Sequence, residues 1–237
     1  MRYAKVKEKV ESSIEHYWGG IKELVERYYS RPRPVEQELY WIKVSVYKEI
    51  KAIPKILPIL GEQFARLDRG LDRRLYEGLA YEMADEIKHY RLLADIVEWL
   101  TKEKVTPDQC GPSPEQTKLE ELRKALKDDL ALVPHLNVAH ETVFASAVQS
   151  ISGGPLEKKI AAAYRQVYRD ELKHYSLGWK ELQTQELDES QIERVTRANK
   201  TVARQYLVMR NDLFGYPISE SRMKEIDQGK VRPCRPR

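Results

Sequence analysis

The chain is predicted to fold entirely as α-helix. Glycine and proline are few, 11 and 12 among 237 residues, and they gather at a handful of places with long helix-like stretches between them. No segment of useful length alternates apolar and polar residues as a half-buried strand does. A third observation concerns organisation. The phrase Asp85-Glu86-Ile87-Lys88-His89-Tyr90 returns as Asp170-Glu171-Leu172-Lys173-His174-Tyr175, 85 positions later, which implies two similar helical halves.

The first helix is expected over residues 4–29, ending before Arg31-Pro32-Arg33-Pro34. A second runs over 35–66, where Pro54 and Pro58 must kink or interrupt it. A turn at Asp68-Arg69-Gly70 leads to a third helix over 71–103. Ser113-Pro114 is a start signal for a fourth, over 115–151, with a break expected at Pro134. Gly153-Gly154-Pro155 stops that helix and restarts a fifth, from 155 to about 185, with the proline near its first position. A sixth covers 189–213. The organisation predicted is one helical domain over 1–215, with a core bundle over about 35–185, and an irregular basic tail over 216–237. Two hairpins form that core, and the first and last helices pack outside it.

Composition narrows the function. Hydrophobic residues make up 41% and charged residues 33%, as in a soluble helical protein with much solvated surface. Runs such as Ile56-Leu57-Pro58-Ile59-Leu60 are far too short to span a bilayer, so no membrane partner is expected. Met1 to Ser12 is studded with Lys and Glu, unlike a secretory leader, and a cytoplasmic location is expected. Cys110 and Cys234 form no Cys-x-x-Cys, which argues against a zinc knuckle, a rubredoxin-type iron site or a disulfide framework. The net charge of +4 owes much to the end Lys230 to Arg237, expected to fray. It lacks the aromatic–basic interleaving of a nucleic-acid surface.

The repeated phrase holds Glu-x-x-His. On a helix this sets a carboxylate and an imidazole about one turn apart on a shared face. Two such helices supply two carboxylates and two imidazoles, and two further carboxylates would complete a dinuclear metal site. Hairpin geometry locates them, because residues at equal height lie about equally far from the turn. With the second turn near Gly154-Pro155, the partner of Glu171 falls near residue 138, and the nearest glutamate is Glu141. Its helix, Leu136 to Ile151, is otherwise nearly uncharged, and a lone buried glutamate needs a partner. With the first turn at 68–70, the partner of Glu86 falls near residue 51, and Glu49 is there. Lys48 and Lys51 flank Glu49. Glu62 is the alternative, too close to the turn to sit level with Glu86. Glu82 shares the stripe of Glu86 and His89 and suits an extra ligand, a proton relay or a solvated salt bridge. His16, His135 and His140 lack the motif.

The ordered set Glu49, Glu86-x-x-His89, Glu141, Glu171-x-x-His174 resembles the ferritin-like diiron-carboxylate superfamily. The doubled Asp-Glu-x-x-His is similar to the catalytic subunits of bacterial multicomponent monooxygenases and their ribonucleotide-reductase relatives. The resemblance implies a ferritin-like four-helix bundle with additional N- and C-terminal helices. It also implies that Asp85 orients His174 and that Asp170 orients His89, since a carboxylate behind a ligating imidazole fixes its tautomer and raises its basicity.

Four carboxylates and two imidazoles suit two iron ions, with manganese or a mixed pair as alternatives. Four negative charges neutralise two divalent cations. The activity expected is a dioxygen-activating oxygenase or oxidase acting on an organic substrate. A ferroxidase or storage protein and a manganese catalase or rubrerythrin-like peroxidase are the alternatives. Dioxygen, an organic substrate and an electron donor are the implied partners, and a homodimer is left open. Phe144, Ala145 and Val148, beside Glu141, are candidate pocket residues. Tyr164 and Tyr168 are candidates for a redox role or for core packing, and Tyr90 and Tyr175 point sideways into neighbouring helices.

Overall fold

Caps written into the sequence set where the helices begin. In the computed structural model, which describes residues 2–133, 138–182 and 186–236, α1 spans Arg2–Tyr29, α2 Val35–Phe64 and α3 Arg73–Thr101. Next come α4 (Pro114–Ala125), the single turn α5 (Lys127–Leu130) and α6 (Val138–Val148). Then follow α7 (Pro155–Leu182), α8 (Glu189–Leu213) and α9 (Glu220–Asp227). Asp72, Ser113, Asp188 and Ser219 each accept a backbone N–H two or three residues on, satisfying a donor that a helix start leaves bare. Pro114 and Pro155 take first helical positions, where a missing N–H costs nothing. Among the described residues no strand forms, so the protein is all-α. No helix there is long and apolar enough to cross a membrane.

Three features depart from the sequence expectation. First, α2 runs through both Pro54 and Pro58 as one helix. These prolines, with Leu57 and Ile59, lie on exposed surface, where water can serve the carbonyls that the missing N–H groups leave free. Second, the long helix expected over 115–151 is divided. Leu126 leaves helical geometry between α4 and α5, and α4 packs on α8 instead of continuing towards α6. Pro134 and His135 lie outside the described residues. Third, the segment after residue 215 is ordered. It forms α9 and then crosses α1, where the Cys234 N–H donates to the Glu15 carbonyl at 3.1 Å. Arg235 pairs there with Glu8 and Glu15 at 2.7 and 2.5 Å. The basic end is held by an acidic stripe on α1 rather than frayed.

Two neighbouring pairs, α2 with α3 and α6 with α7, are joined by α3 against α7, and α1 packs on α8 and α6. The last long helix does not sit outside them. Buried residues on α8 include Ile192, Val195, Ala198, Val202, Tyr206, Leu207, Met209, Arg210 and Leu213, a wider face than a surface helix presents. It packs on α1, α4 and α2. On α1, Val10, Ile14, Trp18 and Ile21 are buried against α8 and α6.

The closest approach of the C-terminal segment depends on Gly19. A Cβ there would lie 2.1 Å from the carbonyl oxygen of Arg232, so Gly19→Ala is expected to displace residues 231–236. Overpacking of this kind costs about 1–3 kcal/mol. The expected result is a lower thermal midpoint with faster proteolytic removal of the C-terminal segment. An unchanged midpoint with an equally protected segment would refute this account of the packing.

Candidate metal centre

Residues one turn apart on α3 and α7 meet across the interface of those helices, with α2 contributing from the side. Glu49, Glu86 and His89 offer ligand atoms that all lie within 4.8 Å of one another. Glu86, Glu171 and His174 form a second such group, so Glu86 belongs to both. Glu49, His89, Glu171 and His174 are buried, and Glu86 is nearly so. Glu62 is exposed near the turn, outside both groups.

Each imidazole is aimed. His89 Nδ1 lies 3.6 Å from Glu49 and 3.7 Å from Glu171, while its Nε2 faces Asp170 at 3.5 Å. His174 Nδ1 lies 3.7 Å from Glu171, and its Nε2 contacts Asp85 at 3.2 Å. Each aspartate therefore stands behind the histidine of the other motif. A cation bound between the carboxylates would take the Nδ1 lone pair of each ring and leave its proton on the aspartate side. Lys88 ties the two aspartates together, pairing with Asp85 and with Asp170 at 2.9 Å. Glu49 Oε2, His89 Nδ1 and His174 Nδ1 are buried without a hydrogen-bond partner. Orphaned atoms of this kind are rare in native interiors, and here three of them face one small volume. The donor set fits a cation.

The electrostatics are tightly coupled. Burial pushes the Glu86 carboxyl well above the usual range, and the neighbouring Glu49 and Glu171 add to the effect. Burial would raise Glu49 too, but Lys48 and His89 outweigh it and hold that group low. Burial disfavours protonated His89, yet Asp170, Glu49 and Glu171 prevail and push its pKa up to about 9. His174 is raised against its burial mainly by Glu171, with Glu82 and Asp85 assisting. Asp170 stays ionised against its own burial because the His89 ring faces it and Gln166, Lys88 and Lys173 donate to it.

Glu141 lies outside both three-donor groups. Its carboxylate is clamped by Arg210 Nη2 and by Lys48 Nζ, each at 2.9 Å. Lys48 also reaches Glu49 at 3.2 Å. The two cations outweigh burial and hold the Glu141 pKa at about 2. A glutamate buried in an apolar helix does need a partner, and here the partners are cationic side chains. Glu82 acts on His174 from outside the two groups.

The other candidates divide. Tyr164 is buried between Trp41 and Phe144, and burial pushes its pKa up to about 12. Tyr168 instead lines an outer groove between α1, α6 and the C-terminal segment. Phe144, Ala145 and Val148 are sealed in the apolar core, at most 1% exposed, and present no surface for a substrate. Tyr175 hydrogen-bonds Glu11 on α1, while Tyr90 packs against the core.

Lys48, Lys88 and Arg210 are absent from the sequence-derived set. Lys88 had a signal, since lysine holds the same place in both copies of the phrase. Arg210 had none, because its importance comes from the packing of α8.

The chain is therefore an all-α protein with a buried carboxylate–imidazole cluster that could hold a metal ion. Comparison with family models, with curated proteins and with solved structures returns no match to it.

The raised pKa of His89 has a measurable consequence without metal. A histidine with a folded pKa above its unfolded value stabilises fully below about pH 6.5, and that stabilisation is lost as pH rises through about 9. Denaturant titration of the chelator-treated protein should show stability falling across that interval, by about 3 kcal/mol at most. Affinity for a divalent cation should rise over the same interval, because the cation competes with the proton. Flat stability from pH 6.5 to 9 would refute the protonated state assigned to His89.

Proposed function

We propose that this chain is a dinuclear, non-haem metal protein of the ferritin-like diiron type that uses dioxygen to oxidise an organic substrate. The observation that carries the reading is the set of three orphaned atoms, Glu49 Oε2, His89 Nδ1 and His174 Nδ1, facing one another around Glu86. Each buried orphan costs about 1–3 kcal/mol, and two cations would satisfy all three. Glu49, Glu86 and His89 would hold one ion, and Glu86, Glu171 and His174 the other. Three carboxylates and two imidazoles favour iron or manganese over copper or zinc.

When bound, an iron pair supplies two-electron redox chemistry towards dioxygen. The remaining work falls to the chain. Asp85 and Asp170 hold the imidazoles in the tautomer that leaves Nδ1 free to bind. Lys88 pairs with both aspartates and so holds them in register across α3 and α7. Trp41, Phe144 and Tyr164 pack on one another in the apolar core. The cations on the Glu141 side, Lys48 and Arg210, favour an oxidase over a storage protein. Iron storage needs continual passage of Fe(II), which fixed positive charge at the site opposes.

Anaerobic titration with Fe(II) should find two ions per chain. Glu86→Gln should remove both, since that residue is shared. Glu141→Gln should retain both but destabilise the protein by about 3–5 kcal/mol, because it leaves two buried cations without their anion. A single ion in the wild type, or two tightly bound ions in Glu86→Gln, would defeat the dinuclear assignment. On exposure to air, stoichiometric dioxygen consumption is expected. Growth of a ferric mineral would indicate storage instead, and rapid dioxygen release from peroxide a catalase.

A further inference from the structure

An open groove of about 1390 Å³ runs over the outer side of α6, walled by α1, by Tyr168 of α7 and by the segment that follows α9. Its residues on α1 extend from Glu15 to Tyr29, about 21 Å of helix at 1.5 Å per residue. Val143 and Ala147 of α6, with Ile151 just beyond it, line the floor. Val143 and Ala147 share one helix face, being four residues apart. Tyr29, Tyr168 and Val231 complete the apolar lining. Ser150, also in the lining, turns its hydroxyl back to the Ser146 carbonyl at 3.1 Å.

Size and backbone chemistry narrow the occupant. Small-molecule pockets hold about 300–1,000 Å³, and this groove is larger. Spread over its length, the volume gives a mean section of about 65 Å². A helix about 10 Å across with its side chains has a section of about 80 Å², so most of its girth would be enclosed. An extended peptide would need free backbone groups on the walls, but α1, α6 and α7 spend theirs within their own helices. A docked helix satisfies its own backbone and needs only apolar contact from the groove.

Charge fixes the sign of the side that this helix turns outward. Each glutamate in the lining is already paired: Glu15 with Arg235 at 2.5 Å, Glu23 with Arg222 at 2.7 Å and Glu26 with Lys22 at 3.9 Å. Arg232, also in the lining, is exposed and makes no ion pair among the described residues. On the α7 bank, Arg165 lies one turn before Tyr168 and Arg169 directly after it. Both are exposed, and neither makes an ion pair among the described residues. Between Lys158 and Lys180 every exposed charged residue of α7 is Lys or Arg. Unpaired positive charge therefore flanks the apolar floor from α7 and from the C-terminal segment. Such flanks favour carboxylates on the docked surface and repel a basic one.

Other occupants suit the groove less. A phosphate backbone would use the arginines but leave the apolar floor between them bare. The exposed uncharged residues of α7 from 158 to 180 are Ala162 and Ser176, so no large apolar side chain there enters a lipid surface. Every described helix of this chain that exposes a carboxylate also carries Lys or Arg, so a second copy supplies no helix of one sign.

We infer that this groove docks an amphipathic α-helix of about four turns, with an acidic polar face, presented by a partner protein. Its apolar stripe would lie on Val143, Ala147 and Tyr168, and its carboxylates near Arg165, Arg169 and Arg232. The docked helix would bear on α6 and α7, which are joined by a hydrogen bond from the Thr142 hydroxyl to the Glu171 carbonyl at 3.3 Å. The partner is thereby placed to act on the carboxylate–imidazole cluster. Only that consequence rests on the metal-site reading; the docking does not.

The test uses synthetic peptides of about 14 residues, each cyclised through a side-chain bridge so that it is helical when free. The first has a leucine stripe and a glutamate face. The second keeps the stripe but replaces glutamate by glutamine, and the third has the composition of the first with its leucines scattered. Binding to the wild-type protein is measured by fluorescence anisotropy, and the contacted residues by hydrogen exchange. The first peptide should bind about tenfold more tightly than either control, weaken with added salt and slow exchange in α6 and residues 231–236. Ser150→Trp, which fills the groove from an exposed position, should weaken it about tenfold with an unchanged thermal midpoint. Arg165→Glu combined with Arg169→Glu should also weaken it, while leaving the glutamine peptide unaffected. Equal affinity for the three peptides, or unchanged binding of the first in Ser150→Trp, would overturn the docking site. A single-stranded oligonucleotide, or vesicles rich in anionic lipid, binding more tightly than the first peptide and equally well in Ser150→Trp would reassign the basic face and overturn it too. So would a dimer of the protein that forms with rising concentration and is abolished by Ser150→Trp.

Discussion

The cross-helix contact between each imidazole and the other motif's aspartate governs how the centre of the protein is arranged. His174 against Asp85, and His89 against Asp170, can form only when α3 and α7 stand at one relative height. A slip of one residue would rotate each pair about 100° apart on the helix surface. The contact thus couples helix register to ring orientation. Lys88 reinforces it by reaching from its own aspartate to the opposite one. Once these helices are registered, Glu86 and Glu171 are brought to the same depth, and α2 has only to deliver Glu49.

Burying so many ionisable groups would be prohibitive if each stood alone. The protein solves this by alternating sign across the interior. From the α3–α7 interface outward come Lys88, the aspartates, the imidazoles, the glutamates, then Lys48, Glu141 and Arg210. Each layer stabilises the charge of the next. The helices beyond supply the apolar enclosure, with Trp18, Trp41, Phe144 and Phe214 buried around it. α8 does both jobs, since it contributes apolar packing and also the arginine that ends the alternating series.

Much of the architecture could be read from the sequence, because helices announce themselves locally. Pro155 opens α7 and residues 189–213 form α8, both as the punctuation predicts. Equal distance from a turn was enough to single out Glu49, a prediction that needs only the rise per residue. The same reasoning led to Glu141, which lies nearby but is held by cations. Counting along helices gives height, and it carries no information about which neighbour reaches a side chain first. That neighbour, Arg210, is far off in sequence, on a helix expected outside the core. Lys48 reads in the sequence only as a flanking residue of Glu49, whereas in the folded protein its charge is the main influence holding that carboxyl low. Pairings of this kind arise from the packing of whole helices, and no local pattern encodes them.

The repeated phrase suggests two equivalent halves, but the surroundings break that symmetry. The donor group of Glu49 and His89 has Lys48 at its edge, whereas that of His174 has the carboxylate of Glu82 close by. Two ions held there would feel different fields. The half containing His174 therefore carries more negative charge than the half beside the lysine. A doubled motif therefore ends in two electrostatically distinct settings rather than two interchangeable ones.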